Sequence, residues 1–198
     1  MAVMLSWRSG DPAGGDGLES ARITWSGGGF RAVGRMIRST PAGVLTASYR
    51  VVVAGDGALS RLAVDVATAD GEQQLTISRD AGGGWLLDDG SGGTRGGFAG
   101  ARDLDLAYSP LFTALPVRRL GLHREPAEHV LPMVTVDLPT LRVAATERTY
   151  RTVRPGAGAE PAVIGVAAGA STAEFTADAD GFPVDQPGVA TRVDLATG

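Results

Sequence analysis

Apolar and polar residues alternate with a period of two along most of this chain. The segments ARITW (21–25) and LTASYRVVV (45–53) each place their large apolar side chains on one face, and VTVDL (134–138) and AEFTAD (173–178) repeat the pattern. Because successive side chains of a β-strand point to opposite faces, this alternation is typical of antiparallel strands that bury one face. We therefore predict a mainly β protein.

Turn signals separate these segments. Asp-Gly and glycine-rich runs occur in AGDGA (54–58), TADGE (68–72), DDGSGG (88–93) and ADADG (177–181), and the chain contains 29 glycines. Such runs favour tight hairpins, and further glycines allow bulges and sharp bends within strands. No long segment has the 3.6-residue period of an amphipathic helix. The predicted fold is a strongly curved antiparallel sheet or open barrel that encloses an apolar concavity, with few short helices.

Two segments are predicted to be irregular. Residues 8–17 (RSGDPAGGDG) have the composition of a long N-terminal connection, and residues 154–171 are rich in proline, glycine and alanine. The second segment is expected to form a flexible loop with a short strand at Val163–Val166. Strand patterns continue on both sides of it, so we expect a single domain over residues 1–198.

Composition narrows the range of functions. The chain has no cysteine, its 18 basic residues are all arginine, and its net charge is −4. Disulfides, thiolate metal ligands and lysine Schiff bases are therefore excluded. The absence of a long basic run argues against a nucleic-acid partner. The first ten residues lack the apolar core of a signal peptide, and no run approaches 18 apolar residues, so we expect a cytoplasmic protein without an integral membrane segment.

Motifs for metals, nucleotides and nucleophilic catalysis are weak or missing. His123 and His129 are six residues apart around Pro126, whereas a helical zinc pair needs a spacing of four, so a solvated loop is expected there. The segment DADG (178–181) begins like a calcium loop but lacks the later ligands, and we predict a hairpin turn. No GxSxG elbow or phosphate-binding GxxxxGK motif is present. We predict no metal site, no cofactor and no catalytic residue.

The charged segment RDLDLAYSPLFTALPVRRL (102–120) needs a separate explanation. As a strand, its first part places Asp103 and Asp105 on one face. If the chain continues as a strand after Pro110, Arg118 and Arg119 point to opposite faces, and one of them enters the apolar side. A buried guanidinium needs a partner, and either aspartate could serve. The set is either a buried ion pair that fixes strand register, or a polar patch that holds a phosphate, carboxylate or sugar hydroxyl.

The same segment resembles the signature block of a bacterial glycolipid-binding family. That block has the pattern Gly-Cys-x-Asp-Val-Asp, then Thr/Ser-Pro-x-Thr-Asn-Thr-Leu-Pro-Ile-Arg-Arg-Leu. The matching positions are Gly100, Asp103, Asp105, Pro110, Leu115, Pro116, Arg118, Arg119 and Leu120. Segments around Glu19, Tyr49 and Trp85, and the downstream stretches VTVDLPTLRVAATERTY and FTADADGFPVDQPG, also fit, so the resemblance covers nearly the whole chain. It implies a curved antiparallel sheet of the lipoprotein-carrier type and a glycolipid ligand.

Several positions depart from the family pattern. Ala101 replaces the usual cysteine, and Phe112–Ala114 replace Thr-Asn-Thr. Arg148 stands where the family has glutamine, and Gln186 stands where it has tyrosine. If the Thr-Asn-Thr turn contacts the ligand's head group, these changes imply a divergent subfamily with a different ligand.

The favoured function is therefore non-catalytic binding of a lipid or glycolipid in the concavity of the sheet. An arginine oriented by an aspartate would meet the head group, and aromatic residues would line the groove. The predicted ligand-binding residues are Trp85, Asp103, Asp105, Tyr108, Arg118, Arg119 and Tyr150. The alternative is an enzyme that acts on a small anionic or sugar substrate, with Asp103 and Asp105 as acid and base beside Arg118 and Arg119. A third possibility is an interaction module that pairs through a sheet edge as a homodimer.

Overall fold

The computed structural model describes residues 1–11, 15–98 and 100–193. These form one large sheet and a single helix. The strands and the helix are β1 (Ala2–Asp11), β2 (Gly15–Ser26), β3 (Gly29–Thr40), β4 (Gly43–Val53), β5 (Leu59–Thr68), β6 (Gly71–Arg79), β7 (Trp85–Asp88), β8 (Gly93–Gly96), β9 (Asp103–Leu106), α1 (Pro110–Leu120), β10 (Glu128–Val136), β11 (Val143–Arg154), β12 (Ala162–Ala168), β13 (Ser171–Ala177), β14 (Pro183–Gln186) and β15 (Ala190–Arg192).

The strand order leaves the sheet open at two edges. Across the sheet the strands follow one another in descending number from β8 to β1, and then again in descending number from β15 to β9. Strands β8 and β9 are therefore the two edges. All neighbouring strands are antiparallel except β9 and β10, which are parallel. The sheet curls round without closing, which confirms the predicted mainly β, strongly curved architecture.

The apolar residues that alternate along the sequence with a period of two form the core of the protein. In β4, Leu45, Ala47, Tyr49, Val51 and Val53 are buried and the residues between them face outward. The predicted turns lie between strands, and Gly57 in the β4–β5 turn has φ +79°, a left-handed conformation that favours glycine. A Cβ atom there would also lie 2.8 Å from the side chain of Arg119, so this turn packs directly on the end of the helix.

The predicted strand after Pro110 is wrong, because the chain forms α1 there. Proline at the first position of a helix is already in the helical φ range, and Gly121 ends the helix in a left-handed conformation, φ 68°. Arg118 and Arg119 occupy the last turn, where positive charge interacts favourably with the helix dipole. No helix of the described residues has the length and apolarity needed to cross a bilayer.

Helix α1 occupies the concave side of the sheet. Its residues from Pro110 to Val117 are all buried. Phe112 packs edge-on against the ring of Tyr49, with 5.2 Å between centroids. The predicted apolar concavity therefore exists, and the protein's own helix occupies part of it.

Three further expectations need correction. The predicted connection at residues 8–17 is largely strand, since β1 extends to Asp11 and β2 begins at Gly15, while residues 12–14 lie outside the described part of the chain. In the segment 154–171, the predicted short strand exists but is longer, as β12. His123 is buried, not solvated, and its Nδ1 lies 3.4 Å from the carbonyl oxygen of Val117.

Candidate functional site

Asp103 and Arg119 form a buried ion pair between β9 and the last turn of α1. The Arg119 Nε atom donates to Asp103 Oδ1 at 3.1 Å, and its Nη2 atom donates to Oδ2. The Asp103 side chain is 1% exposed. The expected pairing of an arginine with one of the two aspartates is thus confirmed. Two parallel hydrogen bonds of this kind fix the angle as well as the distance between two elements.

Arg118 is held by aromatic rings. Its guanidinium carbon lies 4.5 Å from the centroid of Phe182, 5.5 Å from that of Phe30 and 5.7 Å from that of Trp25, and Nη1 donates to the carbonyl oxygen of Asp180. Such cation–π contacts stabilise a half-buried positive charge. Burial nevertheless lowers the pKa of Arg118 from its usual value.

Arg118 and Arg119 both border a depression of about 220 Å³ at this end of the helix. The rest of its lining consists mainly of the β2–β3 and β4–β5 turns, with Gly28, Gly29 and Gly57. We call it the glycine-turn depression. The guanidinium groups that border it already have protein partners.

Asp105 pairs with a residue that the sequence did not single out as a site. Arg148 on β11 donates from Nη2 to Asp105 Oδ2 at 2.7 Å. Burial raises the pKa of the Asp105 carboxyl, and the Arg148 charge opposes that rise. Tyr150, two residues further along β11, is completely buried, and burial followed by the Asp105 charge raises the pKa of its hydroxyl.

Arg148 and Tyr150 border a polar pocket of about 220 Å³ between α1 and strands β11 to β14. We call it the Arg148 pocket. It is lined by Thr113, Arg148, Tyr150, Val166, Ala168, Ser171, Ala173, Glu174, Phe175, Gln186, Pro187 and Val189. Gln186 donates from Nε2 to Thr113 Oγ1 at 3.3 Å, which links β14 to the helix.

Three polar atoms of this pocket have no hydrogen-bond partner in the described structure. They are Arg148 Nε, the Tyr150 hydroxyl and Gln186 Oε1, and all three are buried. Arg148 is a near neighbour of Tyr150, and its charge and its contact with the hydroxyl lower the pKa of Tyr150 against the effect of burial. Buried polar groups are rarely left unpaired in proteins. Three of them around one cavity indicate a position for a ligand or for ordered water.

The family departures meet at the same pocket. Arg148 and Gln186 replace the family's glutamine and tyrosine, and Thr113 belongs to the altered Phe112–Ala114 segment. These positions are far apart in sequence and come together only through the fold. The departures therefore pointed to these residues but not to their meeting in one pocket, and Tyr150 was the only lining residue that was predicted as a site residue.

A second buried polar cluster lies at the other end of α1. Glu19 Oε1 accepts hydrogen bonds from the Tyr49 hydroxyl and, at 2.7 Å, from the Ser109 hydroxyl, while Oε2 is buried without a partner among the described residues. Burial raises the pKa of Glu19 from 4.5 to about 7, although both hydroxyls and the charge of Arg38 oppose the rise. The adjoining cavity has only about 10 Å³, close to the minimum for one water molecule.

Tyr108 and Trp85 lie away from the Arg148 pocket. The backbone of Tyr108 has φ 67°, its carbonyl oxygen accepts from Arg38 Nη2 at 2.9 Å, and its ring lies 5.0 Å below the Arg38 guanidinium. Trp85 is buried against Phe98, with 6.1 Å between ring centroids. The seven predicted residues thus divide among several places, and they do not line one groove.

A broad depression and the acidic side chains remain to be described. The depression, about 960 Å³, is bordered by consecutive strand residues such as Arg35–Ile37 and Glu72–Leu75. Its lining combines outward-facing polar residues with Met36, Ala47, Val66 and Leu75 of the core face and with Leu141, so it lies where the strand ends meet the β10–β11 connection. Within the described ranges, no cluster of three or more histidine, aspartate or glutamate side chains could hold a metal ion.

A curved, unclosed antiparallel sheet wrapped round one helix, with a polar pocket beside that helix, defines a β-barrel-like class of protein. Within this class, the family model described as "Putative glycolipid-binding" matches residues 4–192, and the chain belongs to that family. No curated protein matched in a separate sequence comparison.

Two solved structures are similar. One is a crystal structure of a DUF1089 family protein from Pseudomonas aeruginosa, with a TM-score of 0.72 and 23% sequence identity over 94% of this chain and 95% of that one. The other is a β-barrel-like protein with a domain of unknown function, DUF1849, from Brucella abortus, with a TM-score of 0.47 and 12% identity over 92% of this chain and 82% of that one. The first similarity supports the fold alone.

Proposed function

We propose that this protein binds a glycolipid without chemically changing it, and that the head group occupies the Arg148 pocket. The observation that carries the proposal is that Arg148, Tyr150 and Gln186 all border one cavity of about 220 Å³, and that each of them has a buried polar atom without a partner in the described structure, namely Nε, the hydroxyl and Oε1. Together they offer donors and acceptors in close proximity. A sugar ring presents the complementary set, because each of its hydroxyls both donates and accepts.

Charge favours a neutral sugar over a phosphate. The positive charge of Arg148 is compensated by Asp105 at 2.7 Å, and Glu174 also borders the pocket. An anionic head group would therefore meet no net positive charge. Sugar hydroxyls need only oriented hydrogen-bonding groups, which a paired arginine still supplies through its free Nε–H.

The apolar part of the ligand must leave the pocket along its rim. Helix α1 packs against the concave side of the sheet beside the pocket, so an acyl chain that continued inward from the pocket would have to displace it. Val166, Pro187 and Val189 border the pocket and are not fully buried. An alkyl chain in contact with them gains up to about 0.8 kcal/mol per methylene that is removed from water.

Asp103, Arg118 and Arg119 have a different role in this proposal. Their side chains hold the end of α1 against β9 and against the aromatic rings. An enzyme that used Asp103 and Asp105 as acid and base would need an accessible carboxyl group. Each of the two instead accepts from an arginine, and Asp103 is buried, so binding is the better supported function.

Calorimetric titration tests the proposal. The protein is titrated with octyl glucoside below its micelle-forming concentration and, in parallel, with octyl phosphate. We expect saturable binding of the glucoside, weaker binding of the phosphate, and a loss of glucoside binding in Gln186→Leu. The matched control is Gln73→Leu, an exposed glutamine on β6 outside the pocket. Equal binding of both amphiphiles, or equal loss in both variants, would contradict a sugar-binding pocket.

A further inference from the structure

The outer face of β2 to β5 carries five exposed arginines in three adjacent cross-strand rows. The rows are Thr24–Arg31–Val52–Arg61, Arg22–Val33–Arg50–Ala63 and Ser20–Arg35–Ser48–Asp65. We call this surface the arginine face. Asp65 is its single acidic residue. In the described part of the chain, none of the five arginines takes part in an ion pair.

This concentration of charge contrasts with the rest of the chain. The whole sequence has a net charge of −4, yet the arginine face has five positive charges and one negative charge. No two of the five arginines are direct cross-strand partners, so the sheet tolerates them. Asp65 offsets one of the five charges and the three rows hold no other acidic residue, so an external anionic partner explains the concentration of charge better than folding does.

Aliphatic side chains are interleaved with the arginines. Val33, which is 51% exposed, lies directly between Arg22 and Arg50. The row that follows the Ser20–Arg35 row pairs Leu18 with Ile37, and these two side chains are 52% and 56% exposed. A surface that alternates arginine with exposed aliphatic residues matches the boundary between lipid head groups and acyl chains.

We propose that the arginine face docks on the surface of an anionic lipid bilayer. Arginines close to such a surface are attracted to its negative potential, and the aliphatic side chains enter the outermost acyl region.

A nucleic acid would fit this face less well. The three rows of the arginine face and the adjoining Leu18–Ile37 row contain no aromatic side chain on β2 to β5. Bases would therefore have no aromatic ring to stack on. The proposal uses none of the residues of the Arg148 pocket, so each can fail without the other.

Vesicle cosedimentation tests this docking. Vesicles of phosphatidylcholine, with or without phosphatidylglycerol, are mixed with the intact protein at low and at high salt. We expect binding only to vesicles that contain phosphatidylglycerol and release at high salt, where surface charges are screened. In Arg31→Gln/Arg50→Gln we expect binding to weaken by about fivefold per arginine, and so by about 25-fold. Among the described residues, neither arginine is hydrogen-bonded or ion-paired to another side chain, so the change breaks no such contact there.

Two controls separate docking from general charge effects. Arg124→Gln/Arg142→Gln removes two exposed arginines that lie outside the arginine face, and it is expected to bind like the wild type. Val33→Ser should weaken binding, whereas Val153→Ser, at an exposed valine of β11, should not. Equal binding to neutral vesicles, equal effects of the two arginine pairs, or binding to a DNA duplex without binding to vesicles would each overturn the proposal.

Discussion

The Ser109 hydroxyl donates a hydrogen bond of 2.7 Å to the buried carboxyl group of Glu19. This contact joins β2 to the residue that precedes α1, across 90 positions of sequence. Glu19 also accepts from Tyr49 on β4, so one carboxyl group connects two strands to the start of the helix. The helix that occupies part of the concavity is therefore held at its N-terminal end by Glu19 and at its C-terminal end by Asp103.

Stability is expected to depend on the protonation of Glu19. Its pKa is raised from 4.5 to about 7, so the folded state binds the proton more tightly than the unfolded state. The stabilisation from this group is complete below pH 4.5 and is lost as the pH rises through 7, with an upper limit of about 3 kcal/mol. Urea unfolding of the wild type and of Glu19→Gln between these pH values measures it.

The difference between the two unfolding curves is the informative quantity, because other groups titrate in both proteins. We expect the wild type to lose stability relative to Glu19→Gln as the pH rises. Glu72→Gln, at an exposed glutamate of β6, serves as the control and should show no such trend. A difference between the wild type and Glu19→Gln that does not vary with pH would refute the assignment.

Breaking the Asp103–Arg119 pair should be strongly destabilising. In Asp103→Ala, the Arg119 guanidinium keeps its mostly buried position but loses its partner, which typically costs about 3–5 kcal/mol. Chemical denaturation gives the value directly. Glu160→Ala removes one partner of an exposed pair with Arg154 and should leave the midpoint almost unchanged. Similar losses in both variants would show that Asp103 has no special role in holding α1.

Truncation of Phe112 tests whether the helix occupies its part of the concavity permanently. Phe112 is completely buried, and Phe112→Ala should cost about 3–5 kcal/mol through lost burial and an added cavity. If the acyl chain enters the concavity by displacing α1, this variant should bind octyl glucoside more tightly than the wild type. We expect its affinity, measured well below the unfolding temperature, to be unchanged.

The sequence could predict the strands because their information is local. In β4 each second residue from Leu45 to Val53 is apolar and buried, as are Leu62, Val64 and Val66 in β5, and the turns between strands carry their own glycine and aspartate signals. The helix escaped prediction because α1 is buried on every side, so Leu111 to Val117 show neither a two-residue nor a 3.6-residue period. Pro116 inside the helix further weakened the local signal.

The site depended on contacts that the sequence does not display. An ion pair between one of the two arginines and one of the two aspartates was predictable, since a buried arginine needs a partner, but the sequence left open that Asp103 and Arg119 form it. The Arg148 pocket was not, because Thr113, Arg148 and Gln186 belong to three different elements that meet only in the folded chain. Period-two alternation shows which face of β11 is buried, but not which strand or helix lies opposite it.

Tyr150→Phe gives the most direct test of the central claim, with Tyr108→Phe as its matched control. The change removes one buried hydroxyl that has no hydrogen-bond partner among the described residues and keeps the ring. The variant should therefore unfold at the same or a higher temperature than the wild type. If that hydroxyl contacts the head group, calorimetry should show octyl glucoside binding weakened by about five- to tenfold in Tyr150→Phe and unchanged in Tyr108→Phe. Wild-type affinity in a stable Tyr150→Phe protein would contradict the Arg148 pocket as the head-group site.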